Sequence, residues 1–344
     1  MGRPYGVTGF CIVLSLLAHA LPAMALMNGD PVSRAPAVQL VFEHREWHDY
    51  RQEWRVSHSE CSAVVVGRTP MTLLTAAHCL REGSLDERDG LPLLSIARAP
   101  DSLLAMARLA RLKQAIFPEF DKVRGNLIDD LAVLVFDIEL PDEIDIAPVL
   151  LDEPAHTLLL CGYGYGAADA LPVSLRCASK YVHRATEGFE AFVPAAYASL
   201  DTLFYARYQV QFESKASAVS TLETLLAVNR LNEQGDYDPA LPMPTMGDSG
   251  GPWLEELAGG HYGVAGITSF VESFYGSSPQ LPFFRKSSAP MADFVYAAYG
   301  IRLDSMRARK LFNAARIKGA DIRVYRRGWQ NADMPPAAEA VTRQ

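Results

Sequence analysis

The sequence predicts an all-β protein whose strands form a pair of β-barrels. Short apolar runs bounded by glycine, proline or charged residues are typical of strands. The composition is that of an ordinary globular protein, 49% hydrophobic and 21% charged, and we find no repeat or low-complexity segment. The predicted strands lie at 38–42, 62–66, 71–75, 131–136, 157–160 and 262–269.

The first 25 residues have the composition of a secretory signal. A single charge at Arg3 precedes an apolar run at 10–17, and Ala23-Met24-Ala25 forms a small-residue cleavage site. A second possible site follows Ala20. The apolar run is too short to cross a bilayer, and no later run is long enough. We therefore expect an exported protein, periplasmic or extracellular, without a transmembrane segment.

The cysteine count agrees with export. Of five cysteines, Cys11 is removed with the signal, which leaves an even number in an oxidising compartment. Four cysteines allow three pairings, and the count alone does not choose among them. The remaining cysteines are Cys61, Cys79, Cys161 and Cys177.

Three short segments carry residues suited to covalent catalysis. They are Thr75 to Cys79 with His78, the run that begins at Asp130, and Gly247 to Pro252 with Ser249. A serine hydroxyl needs a neighbouring base to remove its proton, and histidine titrates near neutral pH. A buried carboxylate then fixes the imidazole tautomer. The segments predict Ser249 as nucleophile, His78 as base and Asp130 as the orienting carboxylate.

The Gly-x-Ser-x-Gly pattern around Ser249 also fits the nucleophile turn of α/β-hydrolases. Those enzymes carry the acid and the histidine after the serine. Here His261 is the only histidine after Ser249, twelve residues on, with little room for an acid and a strand between them. His78 and Asp130 both precede the serine, so the α/β-hydrolase reading is rejected.

The three segments and their order resemble the chymotrypsin/trypsin family of serine proteases. The resemblance implies two six-stranded antiparallel barrels, a C-terminal helix and an oxyanion hole formed by the backbone N–H groups of Gly247 and Ser249. It also implies a disulfide between Cys61 and Cys79, which leaves Cys161 to pair with Cys177. The implied activity is endopeptidase hydrolysis through an acyl-enzyme, without metal or other cofactor, on protein or peptide substrates.

The resemblance divides the chain into a protease domain and a tail. The protease domain spans 26–300, with a first barrel at about 26–145, a second at about 146–287 and a helix at 288–299. The stretch 185–240 is longer than the family norm. Residues 301–344 form an extension with ten basic and four acidic residues. An anionic partner is one interpretation of this extension, and contact with the protein's own acidic surface is the favoured one. No feature indicates nucleic-acid binding.

Cleavage of the signal after Ala25 would expose Leu26. In the resembled family the new N-terminal ammonium pairs with the aspartate just before the nucleophile, which is Asp248 here. Signal cleavage would then also be the activating cut, because the inserted charge needs a buried partner.

The primary pocket departs from the trypsin pattern. The resemblance assigns Met243 to the pocket floor, where trypsin-like enzymes carry an aspartate, unless an insertion brings Asp238 there instead. Strict Lys or Arg preference is therefore not expected. The substrate-binding residues that the resemblance implies are Met243, Ser269, Phe270, Val271 and Pro282.

Two further interpretations stay open. In the first, the protein is a catalytically silent protease homologue that binds partners. In the second, it is a processing protease whose 301–344 arm regulates the site. Acidic residues at 82–89 lack the spacing of a calcium loop and are read as a charged surface loop.

Overall fold

The computed structural model describes residues 29–31, 35–82, 85, 90–117, 130–164, 174–184, 224–228, 242–274 and 294–327. Fifteen strands and three helices lie in these ranges. The strands are β1 Asp30–Pro31, β2 Ala37–His48, β3 Glu53–Arg68, β4 Met71–Thr75, β5 Leu94–Arg98, β6 Leu112–Ile116, β7 Ala132–Phe136, β8 Val149–Leu150, β9 Thr157–Gly162, β10 Arg176–Arg184, β11 Thr224–Val228, β12 Pro252–Glu256, β13 Tyr262–Phe274, β14 Phe294–Arg302 and β15 Val324–Tyr325. The helices are α1 Ala77–Glu82, α2 Asp101–Ala107 and α3 Met306–Ile317.

The strands form two sheets, as the all-β prediction requires. The first sheet has six antiparallel strands in the order β5-β2-β3-β4-β7-β6. In the second, β12, β9, β10, β11, β14 and β13 follow one another, and β12 also pairs with β13, so these six strands close into a barrel. The predicted fold class, with two six-stranded β units, is confirmed.

Apolar side chains fill each sheet and the space between them. One core cluster belongs to the first sheet and includes Leu40, Phe42 and Phe136. A second surrounds Trp253 inside the closed barrel. A third joins the two units and takes in residues of β3, β7, β9, β13 and α3. The sheets therefore pack against each other through a continuous apolar layer.

The helix predicted at 288–299 is wrong where the structure describes it. Residues Phe294–Arg302 form strand β14, which pairs with β11 on one side and β13 on the other. Between two strands the backbone satisfies its donors and acceptors in ladders, and this tertiary pairing outweighs the helical spacing of the apolar residues. Gly300 in this strand lies over Trp253, where a Cβ would come within 2.8 Å of the indole ring.

The second barrel consequently extends to Arg302 rather than 287, and the C-terminal helix lies inside the predicted extension. Helix α3 begins at Ser305, whose Oγ accepts a hydrogen bond from Ala308 N, as an N-cap residue does. It buries Ala308, Leu311, Phe312 and Ala315, which share one helical face.

The basic residues of this segment bond within the protein in several places. Arg302 pairs with Asp304 at 2.5 Å, Arg309 donates to Leu151 O and Arg327 reaches Glu255 at 2.6 Å. Up to residue 327 the predicted extension is thus an integral part of the fold. None of the helices in the described ranges is long and apolar enough to cross a membrane.

Candidate functional site

Two neighbouring strands bring His78 and Asp130 to the same edge of the first sheet. Strands β4 and β7 are antiparallel, with Thr75 opposite Ala132. The chain that leaves β4 therefore passes the chain that enters β7. His78 follows β4 in the first turn of α1, and Asp130 stands two residues before β7.

The Asp130 carboxylate forms two hydrogen bonds with His78. Oδ1 accepts the backbone N–H of His78 at 2.8 Å, and Oδ2 lies 2.8 Å from His78 Nδ1. Ser269 Oγ donates to the same Oδ2 at 2.5 Å. Asp130 is 6% exposed, whereas the His78 side chain is 34% exposed and so reaches the surface. The imidazole is held through Nδ1, and the side chain as a whole is partly exposed.

Burial raises the pKa of the Asp130 carboxyl, because it removes water from the charged form. The hydrogen bond and charge of His78, together with the bonds from Ser269 and the His78 amide, more than offset this effect. The pKa lies below its ordinary value of 3.8 as a result. Asp130 is therefore an anion at neutral pH, suited to stabilising an imidazolium.

The Ser249 segment lies between the two units and bonds to both. Ser62 N in β3 donates to Ser249 O at 2.7 Å, and Ser62 Oγ donates to Gly247 O at 3.0 Å. On the other flank Gly250 N donates to Thr268 O at 2.7 Å. This position beside Thr268 also accounts for Ser269 reaching across to Asp130.

Glycines make this tight passage possible. Gly247 and Gly250 have φ of 89° and 82°, in the left-handed region that favours glycine. A Cβ on Gly250 would stand 2.1 Å from both Ser62 O and Thr75 Oγ1. The Gly-x-Ser-x-Gly pattern is therefore required by close backbone packing as well as by the turn.

The sulfur of Cys79 lies near both His78 and Ser249. Cys79 Sγ lies 3.8 Å from His78 Nε2 and 4.0 Å from Ser249 O. Within the described ranges no hydrogen bond is recorded for Ser249 Oγ, nor for the N–H groups of Gly247 and Ser249. Catalytic hydrogen bonds commonly tighten only when substrate is bound.

Each unit has one disulfide near this junction. Cys61 bonds to Cys79, which ties β3 to the His78 turn, and Cys161 bonds to Cys177 across strands β9 and β10. These are the pairs implied by the resemblance. Cys61, His78 and Cys79 also lie close enough to suggest a metal site, but both sulfurs are spent in the disulfide and no thiolate remains as a ligand.

Asp248 is fully buried next to the serine. Its Oδ1 accepts Gly164 N at 2.6 Å and its Oδ2 accepts Thr245 N at 2.8 Å. A Cβ on Gly162 would lie 2.1 Å from Oδ1, so this neighbour must be glycine. Leu26, its predicted partner, lies outside the described residues.

The first described residues of the chain lie two strands away from the strand that ends beside this carboxylate. Asp30 and Pro31 pair with Cys177 and Arg176 of β10, and Arg176 donates to Gly29 O at 2.7 Å. Strand β10 in turn pairs with β9, which ends at Gly162 beside Asp248.

The predicted substrate-binding residues separate into three kinds. Met243 is fully buried in the core around Trp253. Ser269 is also buried and bonds to Asp130, a role that its assignment to the substrate-binding residues did not include. Phe270 and Val271 follow on β13 and are partly exposed, while Pro282 lies outside the described residues.

Sequence reasoning missed Tyr299. Its ring stacks on Phe270 with ring centres 4.1 Å apart and planes 6° from parallel. The helix predicted there concealed it. The alternation of β14 opposite β13 is the signal that brings the two rings together.

No protein-family model matches the sequence, and no curated protein matches it. Among solved structures, the chain is similar to the protease Anisep from Arthrobacter nicotinovorans, with 18% identity over 83% of this chain and 97% of that one, at a TM-score of 0.46. It is also similar to AL20, a thermostable serine protease from an extremophilic microorganism, with 15% identity over 82% and 97% of the two chains, at the same TM-score.

Proposed function

We propose that the protein is an exported serine endopeptidase with His78, Asp130 and Ser249 as its catalytic triad. One observation carries the proposal: an anionic, buried Asp130 holds Nδ1 of a partly exposed imidazole, beside a serine that stands in a glycine-rich turn. An ionised carboxylate bound to the imidazole is what the proposed roles of Asp130 and His78 require.

The chemistry follows from these positions. His78 Nε2 takes the proton of Ser249 Oγ as the oxygen attacks the substrate carbonyl carbon. Asp130 stabilises the imidazolium and stays ionised. The imidazolium then protonates the leaving amine, and the C–N bond breaks to leave an acyl-enzyme. His78 then deprotonates a water molecule, which attacks the ester carbonyl carbon. The bond from that carbon to Ser249 Oγ breaks, the imidazolium returns its proton to Oγ, and the acid is released.

The N–H groups of Gly247 and Ser249 are assigned to the oxyanion hole. Each such donor is worth about 2.7–4 kcal/mol in the transition state. Support comes from the absence of a recorded acceptor for either group among the described residues. Pairing of the Leu26 ammonium with Asp248 is also part of the proposal, supported by the pairing of residues 30–31 with β10, the neighbour of the strand that ends beside Asp248.

Substrates are expected to carry an uncharged, small or medium apolar residue before the cut bond. Met243 supplies no countercharge for Lys or Arg, and it lies in an apolar core. Cleavage of a peptide library with a strong preference for Arg or Lys would contradict this assignment. Export to the periplasm or the medium is supported by the two disulfides.

Labelling with a fluorophosphonate, followed by mass spectrometry, tests the mechanism. The label should appear on Ser249 and be lost in His78→Ala, because the free hydroxyl is a weak nucleophile. Ser249→Ala should lower turnover about a millionfold. A protein that neither reacts with the label nor cleaves any peptide would instead be a silent homologue that binds partners. If truncation after residue 327 increased the activity, this would favour regulation by the C-terminal segment.

A further inference from the structure

Strands β2 and β3 continue beyond the first sheet as a two-stranded ribbon. We define this ribbon as residues 43–58, with a turn at 49–52. Strand β5 pairs with β2 only at Gln39–Phe42, and β4 pairs with β3 only from Val64. No third strand joins the distal part within the described ranges. An isolated hairpin is at best marginally stable in water, so an additional strand would stabilise it.

The open edge of β3 begins at the serine. Ser62 N donates to Ser249 O rather than to β2. The pairing of β2 with β3 shows no register shift from Ala37 to His48, so every second residue of β3 outward from Ser62 turns its backbone groups away from β2. These residues are Glu60, His58, Val56 and Trp54.

The side chains of the same alternate residues form one face. At its inner end Ser62 Oγ bonds to Gly247 O, so this face is continuous with the serine segment. At its outer end Trp54 lies opposite Trp47, with ring centres 5.4 Å apart in an edge-to-face pair. Trp47, Trp54 and Val56 are 41%, 61% and 52% exposed. Exposed aromatic pairs of this kind are typical anchors of binding surfaces.

The position of the ribbon decides which part of a substrate reaches it. The serine segment bonds to Thr268 of β13 on one flank and to Ser62 of β3 on the other. If the acyl side of the substrate lies along β13, the leaving-group side emerges along β3. Eight residues separate Ser62 from Trp54, about 26 Å of strand.

We propose that the ribbon binds the leaving-group side of an extended polypeptide as a third strand, with the Trp47–Trp54 pair contacting an apolar side chain about eight residues beyond the cut bond. This inference rests on the proposed peptidase function and specifies its substrate class: unfolded protein chains rather than short peptides. Backbone bonds supply binding without sequence preference, and the tryptophans add an apolar anchor.

Two fluorogenic peptides test the proposal. Both carry the acyl-side sequence best cleaved from a peptide library, and they end two or ten residues after the cut bond. The long peptide has a leucine as the eighth residue after the cut bond. We expect wild-type protein to cleave it with about tenfold higher kcat/KM, mostly through a lower KM, because binding outside the reacting bond is the same in ground and transition states.

Trp47→Ala/Trp54→Ala should remove most of this advantage and leave the short peptide unaffected. Glu46→Ala/Arg55→Ala is the matched control, since these two residues lie opposite each other on the other face of the same ribbon. The control should keep the advantage. Equal loss in both double variants, or no loss in either, overturns the proposal.

N-methylated long peptides test the edge without altering the protein. Methylation of alternate leaving-group amides should abolish the advantage in one of the two alternating sets, because only one set faces β3. An equal effect in both sets overturns the proposal. A second outcome also overturns it. Sedimentation would show that the wild-type protein is a dimer and that Trp47→Ala/Trp54→Ala is a monomer, while the kcat/KM advantage of the long peptide stays unchanged.

Failure of the proposed function gives a different result. In that case neither peptide is cleaved and Ser249 takes no fluorophosphonate. Labelling of Ser249 with equal rates for the two peptides contradicts the ribbon proposal alone.

Discussion

The two units of the molecule each place a buried aspartate beside the serine, and the two carboxylates have different kinds of partner. Asp130, from the first sheet, bonds through Oδ2 to an imidazole and a hydroxyl, groups that can either donate or accept a hydrogen bond. Asp248, in the second unit, accepts hydrogen bonds from the backbone N–H groups of Gly164 and Thr245, which can only donate. We infer that Asp130 serves chemistry and Asp248 serves structure.

Among the changes that test this comparison, Asp130→Asn should have the largest effect on turnover. The new amide nitrogen would donate to His78 Nδ1 and hold the imidazole in the wrong tautomer. The fold should be kept, because the imidazole nitrogen and the Ser269 hydroxyl can each change from hydrogen-bond donor to acceptor. We expect kcat to fall about 10⁴-fold, with an unchanged near-UV circular dichroism spectrum. A fall of less than tenfold would show that Asp130 does not orient His78.

The two disulfides extend the comparison. They close loops of similar length, with sequence separations of 18 and 16, so removal of either should cost about 3 kcal/mol of unfolding free energy in urea. Only Cys61→Ala/Cys79→Ala should also lower kcat of the folded protein, because Cys79 Sγ contacts both His78 and the Ser249 segment. Cys161→Ala/Cys177→Ala is the control, and equal losses of kcat would contradict this difference.

Asp248→Asn should lower stability, and the loss of its proposed pair with the Leu26 ammonium should also lower turnover. An asparagine has one oxygen for two backbone donors, so its NH₂ group would face an N–H that cannot accept. A buried donor without a partner costs about 1–3 kcal/mol, and urea unfolding should report a loss of this size. Asp130→Asn should lose less unfolding free energy than Asp248→Asn. The reverse order would mean that the partners of Asp130 do not exchange donor and acceptor roles.

The smallest effect concerns acid stability. The pKa of Asp130 lies below its ordinary value of 3.8 in the folded protein, so its contribution is fully present above that pH and is lost as pH falls through the lowered pKa. Unfolding free energy measured between about pH 5 and 2 should therefore fall less steeply in Asp130→Asn than in wild type. Identical slopes would show that Asp130 titrates alike in both states.

Local patterns in the sequence predicted much of this arrangement. The apolar runs before His78 and after Asp130 indicate strands, and their antiparallel pairing explains why residues 52 positions apart touch. The Ser249 turn was predictable because only glycine fits its backbone. The disulfide pairs came from resemblance and not from the cysteine count, which allowed three pairings.

Strand β14 and its consequences were not predictable from spacing. Its apolar residues fit a helical face as well as a strand, and the decision comes from β11 and β13 on either side, which are distant in sequence. The same error placed the C-terminal helix eighteen residues early and concealed the stacking of Tyr299 on Phe270. The bond from Ser269 to Asp130 likewise joins two units, and no local pattern encodes it.

That bond has a consequence for the timing of activity. Asp130 and Ser269 are 139 positions apart, and the strand that flanks Ser269 comes later still. A nascent chain that has emerged only as far as its first sheet holds an imidazole and a carboxylate but cannot complete their network. In the proposed peptidase, the network that orients His78 is therefore complete only after the second barrel has folded.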